Sequence, residues 1–410
     1  MTPSNDDFAA LSRLHAEAGT EAMFDALAVS LAARRRWHAV FDARLMQARV
    51  ALGLPPVGMP GDVPANLRDR LDDRSLAACR EVGWPLLDEG QVAAAWMYLR
   101  AAADPAAVSG RLATLAESLG TAQEDDEDAS RTMQEIIGVT LWEGADPALG
   151  IDLVLRTQGT CNAITAFEQA VSRLPAARQQ PAAAVLVAHL HREVAGGLAG
   201  ERHATTAAAS ITPLIDAAGG EAPLVVDVSH LQSILRIARI CTDEPTIRRC
   251  WELADYACRL PAEVAYPGEP PFENVGEASR LFYSSQIGIE VEQAVRFFRT
   301  AAATAGPEAG SLPGDVLVLL LARLGRPGEA LHAALSRSGA DGGMPSVLQA
   351  AAALPSLVDL AAASGEWELL RRACRDRGDE ITFVATLVAE RQKGRNRGPQ
   401  ERQPAQGDVA

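Results

Sequence analysis

The residues whose types and spacing most invite chemistry lie in "VAHLHREVAGGL", residues 187–198, where His189, His191 and Glu193 fall within five positions, with Asp227 and His230 some forty residues on. Histidines and carboxylates on neighbouring helices are the ingredients of a helical metal site or of an acid–base pair. Helical geometry divides the set. A stripe of Ala183, Leu186, Val187, Leu190, Val194 and Leu198 defines the buried face and leaves His189 and Glu193, four apart, on the solvent side. His191 points about 200° away from His189. No H-E-x-x-H pair and no repeated Glu-x-x-His motif accompanies them. The sequence therefore gives no cofactor and no metal ligand set. An all-α hydrolase or transferase working through His189, Glu193, Asp227 and His230 is kept as the alternative function. Phosphate loops, dinucleotide fingerprints and the G-x-S-x-G elbow are missing from the sequence too.

A second concentration of residues favours binding over catalysis. Between 251 and 298 lie Trp251, Tyr256, Tyr266, Phe272, Phe282, Tyr283, Phe297 and Phe298, eight of nineteen aromatics in 48 positions. Among them runs "LPAEVAYPGEPPFENVGEA", residues 260–278, whose four prolines restrict the backbone and lower the entropy lost on ordering. The segment is expected to be an ordered loop over 260–276, anchored by Tyr266 and Phe272. It either caps a core that alanine fills poorly or offers rigid aromatics to a partner. Trp251, Tyr256, Tyr266, Phe272 and Tyr283 are the expected binding residues.

The elements that must position these groups are helices. Hydrophobic residues make up 48% of the 410, much of it alanine, a strong helix former with little volume. Phe24, Leu27, Ala28 and Leu31, then Phe41, Leu45 and Ala48, repeat at helical spacing. "GLPPVGMPGDVP" interrupts the pattern after them. Ser229 and Gln232 read as a capping box, Thr242 and Asp243 as caps of the following helix, and Asp146–Pro147 as another helix start. The one β-like run is "PLVVDV", 223–228. The fold class is all-α, with about 16 to 20 helices in antiparallel pairs.

"CREVGWPLLDEGQVAAAWMYLRAAADP" resembles the tetratricopeptide repeat, with Gly83, Leu86, Gly90, Ala95 and Ala102 at that family's small and packing positions and Pro85 departing from it. "LLLARLGRPGEALHAAL" and "LVDLAAASGEWELLRRAC" echo it around Gly325 and Ala330, then Gly365 and Leu370. Parts of 227–275 are also similar to uncharacterised bacterial helical-repeat proteins. The resemblance implies a tetratricopeptide-like α-solenoid, and the sequence is read as a right-handed array of antiparallel helix hairpins, bent into two lobes around residue 125. The expected domains are an N-terminal hairpin region (1–122), an acidic linker (123–130), a C-terminal repeat region (131–393) and a disordered tail (394–410).

Charge and termini narrow the partners. A net charge of −15 repels nucleic acid and anionic membrane, and the basic clusters "RRRWH" and "RQKGRNRGPQERQ" are short. No apolar run reaches membrane-spanning length, and the opening residues lack a secretory pattern, which predicts a cytoplasmic location. The six cysteines form no C-x-x-C pair and are expected to be buried thiols. The function expected from all of this is a non-catalytic scaffold or adaptor, taking a protein or peptide partner into a helical groove.

Overall fold

The computed structural model describes residues 5–120, 126–200, 210–217, 219–264, 268, 271–336, 348 and 353–396. Nineteen α-helices and no strand are present among them. None of these helices is long and apolar enough to cross a membrane. The chain forms two compact units, residues 1–153 and 154–410.

The first unit contains α1 (Asn5–Ala33), α2 (Trp37–Ala51), α3 (Ala65–Asp88), α4 (Val92–Ala102), α5 (Pro105–Leu119) and α6 (Glu127–Ile137). The next helix, α7 (Pro147–Gln158), contains the boundary between the units. Consecutive helices pack on one another from α1 to α4, and α6 packs on both α4 and α5. The two compact units meet at Leu153–Val154. Within the acidic run, Asp126 accepts hydrogen bonds from the Asp128 and Ala129 N–H groups and starts α6. Residues 121–125 lie outside the described residues.

Phe24, Ala28 and Leu31 line the buried face of α1 as the spacing predicts, whereas α2 buries Val40, Ala43 and Ala48 with Phe41 and Leu45 half-buried. The α3–α4 pair explains its own sequence. A Cβ on Gly83 would stand 2.6 Å from Leu99 Cγ, so the helices approach closely only with glycine there. Gly90 turns the chain at φ +77°, a left-handed conformation open to glycine at little cost. Leu86 and Ala95 are buried between the helices.

The second unit contains α8 (Thr160–Ala166), α9 (Ala176–Ala199), α10 (Ile211–Ala217), α11 (Val228–Ile237), α12 (Glu244–Cys258), α13 (Val275–Gln286), α14 (Val291–Thr304), α15 (Leu312–Arg323) and α16 (Pro327–Leu335), then α17 (Leu357–Ser364), α18 (Trp367–Arg377) and α19 (Glu380–Asn396). Here α9 packs on α8, α10, α11 and α12 together, which is a small bundle. From α12 onward, packing passes from each helix to the next through α16 to α17. The α15–α16 and α17–α18 pairs each turn on a left-handed glycine, Gly325 and Gly365, with Ala330 and Leu370 fully buried.

Helix starts follow short side chains, with one shift from expectation. Asp146 and Asp243 cap α7 and α12 through the Leu149 and Thr246 N–H groups. For α11 the cap is Asp227, which accepts from the Ser229 N–H at 2.7 Å and Oγ–H at 2.6 Å. The N-cap falls at Asp227 rather than Ser229 because aspartate is an equally good cap two residues earlier. The run 223–228 forms no strand: the Tyr256 hydroxyl donates to the Pro223 carbonyl and accepts from the Val225 N–H, holding that segment against α12. Residues 394–396 continue α19, and 397–410 lie outside the described residues.

Candidate functional site

The four groups of the catalytic alternative form two separate pairs. His189 Nε2 lies 3.1 Å from Thr160 Oγ1 and 3.2 Å from Glu193 Oε1, tying α9 to α8. Asp227 is occupied in capping α11, where the Ser229 hydroxyl and N–H hold its carboxyl below the usual range and His230 adds a weaker attraction. No hydrogen bond or ion pair joins one pair to the other among the described residues. Nor do any three His, Cys, Asp or Glu side chains there gather closely enough to hold a metal ion.

His191, on the opposite side of α9, has a stronger interaction that its spacing alone does not reveal. Its Nε2 lies 2.7 Å from Glu252 Oε2 on α12, and both side chains are nearly buried. Glu252 also accepts from Ser210 Oγ at 2.5 Å and from the Ile211 N–H at 2.9 Å. Burial raises the pKa of this carboxyl, but the hydrogen bonds from His191, Ser210 and Ile211 outweigh it and hold the value below the ordinary one. Serine, histidine and glutamate are present, yet the carboxylate sits between the other two. A nucleophile is activated only when the base itself contacts the hydroxyl. The arrangement clasps α10 to α9 and α12.

The described aromatics of this segment belong largely to the core of the second unit. Tyr256 and Tyr283 are fully buried and Phe272 nearly so, while Trp251 is half-buried. Phe272 packs on Phe298 at 5.8 Å between centroids, Phe298 on Phe282 at 5.9 Å, and Phe282 edge-on to Tyr283 at 5.2 Å. The Tyr283 hydroxyl donates to the Leu235 carbonyl at 2.6 Å. The Gly268 N–H donates to the Glu273 carbonyl at 2.7 Å, closing the loop behind Phe272. Such rings supply volume that alanine lacks. Tyr266 lies outside the described residues.

Two arginines share this interior. Arg239 is buried with its guanidinium 5.4 Å from the centre of the Phe272 ring, and Arg323 lies 5.9 Å from that of Phe282 while donating to Gln286 Oε1 at 3.1 Å. Neither makes an ion pair with a carboxylate among the described residues. Burial lowers both pKa values, with the Tyr283 phenol opposing it in each. The thiols nearby are unreactive by the same physics: burial pushes Cys241 up to about 12 and Cys250 well above its ordinary value. All six cysteines are free, and two of them, Cys161 and Cys258, are exposed rather than buried.

Open concavities lie elsewhere. In the first unit Trp84 of α3 faces Ala107, Gly110, Arg111 and Thr114 of α5 across a groove of about 470 Å³. Gly83 presses α3 onto α4, which leaves the next residue, Trp84, about 100° around the helix. Arg111 is held at the edge by Asp88, with Nη2–Oδ1 2.7 Å and Nε–Oδ1 2.8 Å. Nothing lies within 4 Å of a Cβ built on Gly110. A second concavity, about 310 Å³, is lined by Ala363, Ser364, Gly365, Trp367, Glu390, Lys393 and Gly394. The first groove offers one aromatic face, an alkyl-stemmed cation and a hydroxyl, with no base among the lining residues. Sequence reading did not select Trp84, because an isolated tryptophan beside Pro85 carries no periodic signal. Compared with family models, curated proteins and solved structures, the chain matches none.

Proposed function

We propose that this chain is a non-catalytic interaction scaffold whose helix hairpins, tetratricopeptide-like within each unit, take a peptide or partner helix into the groove between α3 and α5. The observation that carries this reading is the pairing of Trp84 with the unfilled space over Gly110. An apolar side chain seated there stacks on the indole and covers the Arg111 stem, the kind of aromatic anchor that dominates binding energy. The excess of acidic residues, with a net charge of −15, favours a basic or neutral partner.

The scaffold reading places the aromatic residues of 251–298 in a supporting role. Their rings fix α11 to α14, while contact falls to surfaces that remain open. Three repeats of one local solution support the hairpin architecture: a left-handed glycine between two helices, with a buried small or apolar residue five positions on, at Gly90, Gly325 and Gly365.

The test is selection of peptides from a displayed random library on the intact chain, followed by affinity measurement with Gly110→Phe and Trp84→Ala. Gly110→Phe projects a ring into the groove from a position where a Cβ meets nothing within 4 Å, and helical circular dichroism of the variant checks that the fold is retained. The selected peptides are expected to be basic and amphipathic, and to lose at least about tenfold in affinity for either variant. Peptides that bind both variants as well as the parent chain remove the groove from the function.

A further inference from the structure

Helix α19 carries its apolar residues on the wrong side for a helix that serves only its own unit. Its most buried side chain is Thr386, whose hydroxyl donates to the Thr382 carbonyl. Phe383 is half-buried beneath the Arg375 guanidinium, Glu390 pairs with Arg371, and Lys393 reaches the Ala362 carbonyl. Outward, by contrast, Ile381 is 85% exposed, Val384 56%, Leu387 45% and Val388 50%. These are four of the twelve large apolar residues exposed among the described residues, in one helix of 17.

Their spacing is informative. Ile381, Val384 and Val388 stand at i, i+3 and i+7, the seam of a two-helix coiled contact, and Arg391 continues it at i+10. The polar residues around the seam are sorted by sign. Glu380 opens the helix, whereas Arg391 and Arg395 lie exposed near its other end, and none of the three makes an ion pair among the described residues. Residues 397–410 contain no leucine, isoleucine, phenylalanine or methionine to lay on the stripe.

We infer that the exposed face of α19 is the interface of a two-fold homodimer, in which the helix packs antiparallel on the same helix of a second copy. A two-fold contact must be self-complementary. Antiparallel pairing centred near Thr386 meets that condition: Val384 of each copy lies on Val388 of the other, and Glu380 lies beside the other copy's Arg391. The two helix dipoles oppose, and each acidic start meets a basic end. Parallel pairing would set Arg391 on Arg391. A basic partner of another kind would meet Arg391 and Arg395 at the end of the stripe, which disfavours it.

The inference is independent of the α3–α5 groove and is tested by sedimentation equilibrium on the full chain at tens of micromolar. The chain is expected to sediment as a dimer, and Ile381→Glu with Val388→Glu as a monomer of unchanged helical circular dichroism. A charge exchange then identifies the occupant. Glu380→Arg alone sets arginine against Arg391, and Arg391→Glu alone sets glutamate against Glu380, so each should dimerise at least about tenfold more weakly. Mixed in equal amounts, the two variants regain both attractive pairs and form a heterodimer. A parent chain that is monomeric throughout overturns the inference. So does a dimer that survives Ile381→Glu with Val388→Glu, or a mixture no more associated than its separate components.

Discussion

Between α11 and α14 the chain places five aromatic side chains inside, and both buried tyrosine hydroxyls meet backbone partners. In α19 the arrangement is inverted, with threonine inward and isoleucine, valine and leucine outward. The groove between α3 and α5 stands between these extremes, with a single tryptophan and an empty position beside it. The difference teaches where function can reside. A segment whose rings are spent on packing is costly to alter and has little left to offer a partner. A segment with unspent apolar surface, or an unfilled place beside an aromatic, has free energy left for binding.

The comparison sharpens first through core truncation. Phe298→Ala, in contact with Phe272 and Phe282, should destabilise the second unit by about 3–5 kcal/mol in urea unfolding. Ile381→Ser on α19 should leave the unfolding midpoint nearly unchanged at monomeric concentration. Equal losses at the two sites would erase the distinction. A smaller contrast lies within the first unit. Gly83→Ala drives a Cβ into Leu99 and should cost about 1–3 kcal/mol, whereas Gly110→Ala should stabilise by about 0.5–1 kcal/mol, since it meets nothing and raises helix propensity.

The clasp at Glu252 gives a pH dependence. Its folded pKa lies below the ordinary carboxylate value, so its contribution is fully present above the unfolded value of about 4.3 and is lost as pH falls through the folded one. Thermal melts of the parent chain and Glu252→Gln should therefore converge on acidification. A gap that widens toward low pH would show that the carboxylate is not held by His191, Ser210 and Ile211. A modest loss, about 1 kcal/mol, is expected at Tyr256→Phe, which removes the bonds to Pro223 and Val225. Hydrogen exchange at Val225 should accelerate most, and no local change there would dissociate this segment from α12.

Helical class and most hairpins were legible in the sequence because they rest on local signals. Gly90, Gly325 and Gly365 mark turns, and Asp146 and Asp243 mark starts, without reference to anything distant in the chain. The gathering of aromatics between 251 and 298 was equally visible. Its destination was not, since whether Phe272 faces a partner or Phe298 depends on a contact 26 positions away. His191 and Glu252 are 61 apart and Trp84 faces a different helix, so neither site leaves a pattern in one dimension. The α19 stripe did lie in plain sequence, but a stripe alone does not say which side of a helix the fold will use.

Backbone hydrogen exchange of the chain, free and saturated with a library-selected peptide, tests most directly where partners dock. Protection is predicted across residues 84–88 and 107–114, with none gained across 272–298. Protection gained in the aromatic segment, with α3 and α5 unaffected, would contradict the account and return the contact surface to the core this structure assigns to packing.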